Sequence, residues 1–84
     1  MNKSLIWEVG NLPFSVVEMF ARECGVDWAS LDCLMELQAI IIEEIVDKEV
    51  DAPNVLSAFI AVRDSVKERW TNWLQESVSD AYDV

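Results

Sequence analysis

The sequence predicts an all-α fold: a three-helix bundle with a long, nearly all-apolar central helix and a short N-terminal segment. Apolar residues recur at three- and four-residue steps over most of the 84 residues, the period of a helix with one buried face. Only two glycines and two prolines interrupt the pattern, and Pro13 and Pro53 both stand where helices begin. From Leu31 to Val46 no breaker occurs at all.

Residues 1–12 admit two readings. Ser4 caps a short helical turn that ends at Gly10, or Leu5 to Val9 lie extended across the bundle, with Ile6 and Trp7 as anchors in either case. The first full helix is expected over about 15–24, opened by a Ser15/Glu18 capping box with Phe14 stapled onto Met19. Val16, Val17, Phe20 and Cys24 form its buried face, and Gly25 suits the left-handed position that ends a helix.

The second helix is expected over about 28–48, capped by Asp27 or Ser30. At 100° per residue, Ile41, Leu34, Ile45, Gln38, Ile42, Met35, Val46 and Ala39 share an arc of about 160°, the expected core face. Cys33, Leu37 and Ile40 fall outside that arc and become candidates for a partner or oligomer interface. Asp32, Glu36, Glu43 and Asp47 occupy an acidic stripe of about 60°. The third helix is expected over about 52–78, with Asp51 as N-cap. Val55, Leu56, Phe59, Val62, Val66, Trp70, Trp73 and Leu74 make its apolar face, and residues 79–84 are expected to fray.

A chain of 84 residues builds one core, so a single domain over 1–84 is expected. Such a core supplies only about 3–5 kcal/mol, which makes an oligomer or partner a natural supplement. The 52% apolar content and four tryptophans exclude intrinsic disorder. Sixteen acids against six bases give a net charge of -10, which disfavours direct contact with nucleic acid or anionic lipid and favours a basic protein surface. No apolar run is long enough to span a bilayer. Trp7, Glu8 and Asn11 interrupt any signal-peptide pattern, so a cytoplasmic location is expected. Cys24 and Cys33 are accordingly expected as free thiols.

The chain has no histidine and no C-x-x-C pair, which removes histidine acid–base chemistry, His-bearing zinc sites and that class of redox centre. Ala21, Gly25 and Leu31 match the small residue, turn glycine and core aliphatic of the helix-turn-helix motif, and the region over about 20 residues resembles that family. The resemblance implies Asp27, Trp28, Ala29, Asp32 and Cys33 in a DNA major groove. None is basic, so a plain glycine turn between two packed helices is the simpler expectation. Glu43, Glu44, Asp47 and Glu49, with Asp64 and Glu68, resemble the magnesium-binding acids of all-α nucleotide pyrophosphatases. Neighbouring Glu43 and Glu44 diverge by about 100° around the helix, which does not converge on one ion. Neither a catalytic site, a metal nor a cofactor is expected.

Asp27 to Asp51 holds eight acids and one base, -7 of the -10 net charge. Acids on one helical edge recur about every 5–6 Å, comparable to phosphates along a nucleic-acid strand. Protein–protein binding is the expected function, most concretely as an inhibitor or regulator of a nucleic-acid-handling complex, of the anti-restriction or anti-CRISPR type. An obligate-dimer adaptor or chaperone-like module is the alternative, and a degenerate helix-turn-helix regulator a third. Asp32, Glu36, Glu43 and Asp47 are the expected contacts to a basic partner. Cys33, Leu37, Ile40, Arg63, Lys67, Trp70 and Trp73 are the expected partner or dimer interface, with Arg63 and Lys67 paired to Glu36, Glu43 or Asp47.

Overall fold

A computed structural model of the chain describes the backbone of residues 3–82 and the side chains of residues 3–76. The described residues form four helices and no strand: α1 (Lys3–Gly10), α2 (Phe14–Glu23), α3 (Leu31–Asp47) and α4 (Val55–Tyr82). The all-α class stands, with one helix more than the pattern predicted. The N-terminal segment takes the helical alternative, and its buried residues are Leu5 and Val9. Ile6 is half-buried, whereas Trp7, expected as a second anchor, is 68% exposed.

Helix α3 lies at the centre and packs against each of the other three. It runs antiparallel to α4: Lys48 meets Ser65, Glu44 meets Arg69 and Cys33 meets Trp70, descending one helix as the other ascends. Helix α4 has 28 residues against 17 in α3, so at 1.5 Å per residue it is about 42 Å long and sets the long dimension of the molecule, 45 Å. Helix α4 extends to Tyr82, past Val78 where the expected helix ended; residues 83–84 of the expected tail lie outside the described residues.

Helix ends explain most shifts of boundary. Helix α2 starts at Phe14 because the extended Pro13 already offers its carbonyl to the Val16 and Val17 amides, at 3.0 and 3.2 Å. The Ser15/Glu18 capping box does not form, and Phe14 and Met19 are exposed, not stapled. Helix α3 starts at Leu31, later than expected, because Ser30 is the residue that caps it, accepting from the Cys33 amide at 3.3 Å. Asn54 takes the role expected of Asp51 at α4, its side-chain oxygen accepting from the Ser57 amide at 2.8 Å.

The same C-terminal geometry closes α2 and α3. After α2, the Val26 amide returns to the Ala21 carbonyl at 3.0 Å and Gly25 donates to Arg22 at 2.9 Å; after α3, Val50 returns to Ile45 at 3.0 Å and Glu49 donates to Val46 at 3.2 Å. This is the Schellman arrangement, which needs a left-handed residue between helix and exit. Gly25 supplies it at φ 86°, but Glu49 is forced there at φ 50°, with its Cβ facing a carbonyl oxygen.

The core of α3 is displaced from its expected arc. Leu34, Leu37, Ile40, Ile41 and Ile45 are buried, together with Glu44, over an arc of about 140°. Leu37 and Ile40, read as interface residues, are 0% and 3% exposed, while Met35, Ala39 and Val46, read as core, face outward. The cause is the position of α4, which touches α3 at Cys33 and Glu44 and so covers the side that holds Leu37 and Ile40. Helix α1 covers the adjoining edge, where Gln38 donates to the Val9 carbonyl at 2.6 Å and Ile42 lies beside Gly10.

The paired helix ends give opposite expectations in urea unfolding. Gly25→Ala, which meets no atom within 4 Å but must hold a positive φ, should cost about 1–2 kcal/mol. Glu49→Gly should raise stability by up to about 1 kcal/mol by removing the same strain.

Candidate functional site

Once α4 and α1 are in place, the open side of α3 spans about 120°. It has two parallel edges. Met35, Ala39 and Val46 form an apolar edge, continued at the helix start by Leu31 and by Trp28, which is 80% exposed. Asp32, Glu36, Glu43 and Asp47 form an acidic edge beside it, Glu36 half-buried and the other three exposed. The structure therefore brings all four sequence-predicted acids to one surface strip.

The strip is not uniformly charged. Arg69 reaches from α4 to bridge Glu43 and Glu44, with its guanidinium 3.1 Å from the Glu44 carboxylate. Glu44 is the one charged residue in the core among the described residues, and Lys48, one turn on, sits 3.5 Å from its other oxygen while also donating to Ser65. Hydrogen bonding to Glu43, more than that to Glu44, raises the Arg69 pKa above its already high ordinary value, so the guanidinium stays charged. Glu43 is thereby partly neutralised. The acidic edge consists of an Asp32/Glu36 pair, then a bridged Glu43, then Asp47.

Sequence reasoning missed Arg69 and weighed Glu44 only as one of the acids resembling magnesium ligands. Glu44 lies four residues before Lys48, a helical pairing visible in the sequence, but its burial depends on where α4 crosses. Arg63 and Lys67 were expected to pair with Glu36, Glu43 or Asp47. Arg63 instead stands 4.0 Å from the fully exposed Asp64, and Lys67 is exposed; Arg69 takes the carboxylate intended for them.

The other interface candidates belong mostly to the core. Trp70 is completely buried and its indole N–H donates to the Cys33 carbonyl at 2.9 Å, so it holds α4 to the first turn of α3. Trp73 is half-buried against the same core. Cys33 is half-buried and its sulfur accepts from the Ser30 hydroxyl at 3.1 Å. Cys24 is buried at the end of α2; neither cysteine forms a disulfide. Burial pushes the Cys24 thiol above its ordinary value of 9.0, with Lys67 and Arg63 partly opposing.

A second surface lies between α2 and α4. Their backbones do not approach, and the gap is bridged by Phe20 stacked on Phe59, ring centroids 4.3 Å apart. Above this pair is a cleft of about 200 Å³ flanked by Met19, Leu56 and Ile60, with Glu23 and Arg63 at its rim. Leu56, expected in the core, is 60% exposed here. Among the described residues no group of three or more cysteine or acidic side chains is arranged to hold a metal ion. No described helix is long and apolar enough to cross a membrane.

No protein-family model, curated protein or solved structure matches this chain.

Two measurements test the electrostatics of α3. Arg69→Met should destabilise the fold by about 1–3 kcal/mol, less than the loss for a wholly enclosed pair because the guanidinium is half-exposed. Adding Glu44→Leu should recover most of that loss, read as a double-mutant cycle in urea. For Cys24, the raised folded pKa means its contribution to stability is intact below the ordinary thiol pKa and lost as pH rises through the folded value. Alkylation at pH 8 followed by mass spectrometry should modify Cys33 first and reach Cys24 only on unfolding.

Proposed function

We propose that this chain acts by binding a protein through the open face of α3, as an inhibitor or regulator of a nucleic-acid-handling complex. One observation supports this reading above the rest: an apolar edge and an acidic edge run side by side along a face that no other helix covers. A solvated helix face needs charge but does not need Leu31, Met35 and Trp28 at 55%, 53% and 80% exposure. Contiguous exposed apolar residues rimmed by charge are the usual composition of a protein interface.

The two edges do different work. Acids steer a basic surface into register and raise the rate of encounter, whereas desolvating Met35, Leu31 and Trp28 slows departure. The partner surface is thus an apolar strip flanked by lysine or arginine. Basic strips of that kind line the grooves in which proteins hold phosphate backbones, and Asp32/Glu36 and Glu43/Asp47 each space two acids about 6 Å apart. Because Arg69 occupies Glu43, the likeness to a nucleic-acid strand is local, and the apolar edge supplies the affinity that a charge pattern alone does not.

The partner is obtained by co-purification from the native host, and its binding is then measured against salt by surface plasmon resonance. Charge reversal of Asp32, Glu36 and Asp47 to Lys should slow association at least about tenfold at low salt and flatten the salt dependence. Met35→Asp should chiefly speed dissociation. Unchanged kinetics in both variants would end the assignment of this face.

A further inference from the structure

We propose that the cleft between α2 and α4 seats a second copy of this chain across a two-fold axis. The surface is distinct from the open face of α3 and the proposal does not rest on that reading. Met19, Leu56 and Ile60 are 59%, 60% and 56% exposed around the cleft, although each belongs to an amphipathic helix whose other face is well buried. The cleft, at about 200 Å³, is smaller than the roughly 300–1,000 Å³ of small-molecule sites, but side chains from another helix fit it.

Charge identifies the occupant. On α2, Met19 and Glu23 lie one turn apart; on α4, Leu56, Ile60, Arg63 and Lys67 fall within an arc of about 60°. One wall is therefore apolar beside acid and the other apolar beside base. A two-fold interface requires that whatever residue i offers j, j of the partner offers i in return. With α2 of each copy laid over α4 of the other, Met19 covers Leu56 and Ile60 of the partner, and Glu23 faces the partner's basic turn, twice over. A chain of net charge -10 repels its own copies over most of its surface. Of its six bases, Lys48 and Arg69 are committed to Glu44 and Glu43, whereas Arg63, 4.0 Å from a fully exposed Asp64, is free to turn outward.

The test is sedimentation velocity over a dilution series, with circular dichroism confirming that each variant keeps its helices. The wild-type chain should shift from monomer to dimer with concentration. Glu23→Arg and Arg63→Glu alone should each weaken dimerisation at least about tenfold, since each variant sets like charges face to face in both halves of the interface. An equimolar mixture of the two variants should dimerise again, because in the mixed pair every Arg faces a Glu; an effect confined to one chain has no such rescue. Ile60→Asp should abolish association throughout. A wild-type chain that stays monomeric overturns the proposal, as does a dimer indifferent to both charge variants or a mixture that fails to recover. Lys replacements at Asp32, Glu36 and Asp47 should leave the dimer intact, which separates this result from the fate of the α3 surface.

Discussion

Helix α3 is apolar around so much of its circumference that no single neighbour can cover it, and the rest of the fold is arranged by that shortage. Covering Leu34, Leu37, Ile40, Ile41 and Ile45 takes a contact with every other helix. At about 25 cal/mol per Å² of apolar surface, each of these side chains is worth about 1.5–3 kcal/mol when buried, a large share of what a chain of this size retains. The long α4 takes the broadest part of the work. Eight residues of α1 then cover an edge that would otherwise be open, and Gln38 locks the two together by bonding to the Val9 carbonyl. The covering ends there, and Met35, Ala39 and Val46 are left outside.

Within that arrangement the position of α4 is fixed by polar contacts from one stretch of it, Ser65 to Trp70, to both ends of α3. Trp70 ties it to Cys33, while Arg69 and Ser65 tie it to Glu44 and Lys48. A carboxylate such as Glu44 is costly in a core unless its charge is paired. With Arg69 on one oxygen and Lys48 on the other, it holds α3 and α4 in one register, because a shift of a single turn would leave the charge buried without partners. The interaction that selects the register also removes Glu43 from the free charge of the acidic edge.

The helical class, the boundary at Gly25, the grouping of Asp32, Glu36, Glu43 and Asp47 on one edge, and most of the buried face of α4 were legible from spacing alone. These are local properties of a 3.6-residue period and of glycine's backbone freedom. The buried side of α3 was not legible for the same physical reason that makes the helix central: with apolar residues nearly all round, periodicity gives the width of the buried arc but not its direction. Leu37 and Ile40 went to the wrong surface for that reason, and Met35 to the wrong core. The turn at Glu49 was hidden because nothing in a glutamate signals a left-handed backbone; the Val50 amide and Ile45 carbonyl impose it. Arg69 was missed because its partners lie about 25 residues away, beyond any periodic pattern.

Where the chain can meet other proteins follows from how its few bases are spent. Two of six neutralise Glu43 and Glu44, and the pair is recovered as stability of the α3–α4 packing. What they leave behind is an acidic face on α3 where, among the described residues, Arg69 pairs with Glu43 but no base pairs with Asp32, Glu36 or Asp47, which is the charge the proposed basic partner would meet. Arg63 and Lys67 stand on another face, beside exposed Leu56 and Ile60, and make that region the part of a strongly acidic molecule most tolerant of a like chain. In the two proposed modes of binding, one distribution of charge would keep two apolar surfaces from competing for the same occupant: acids disfavour self-association at the first, and bases favour it at the second.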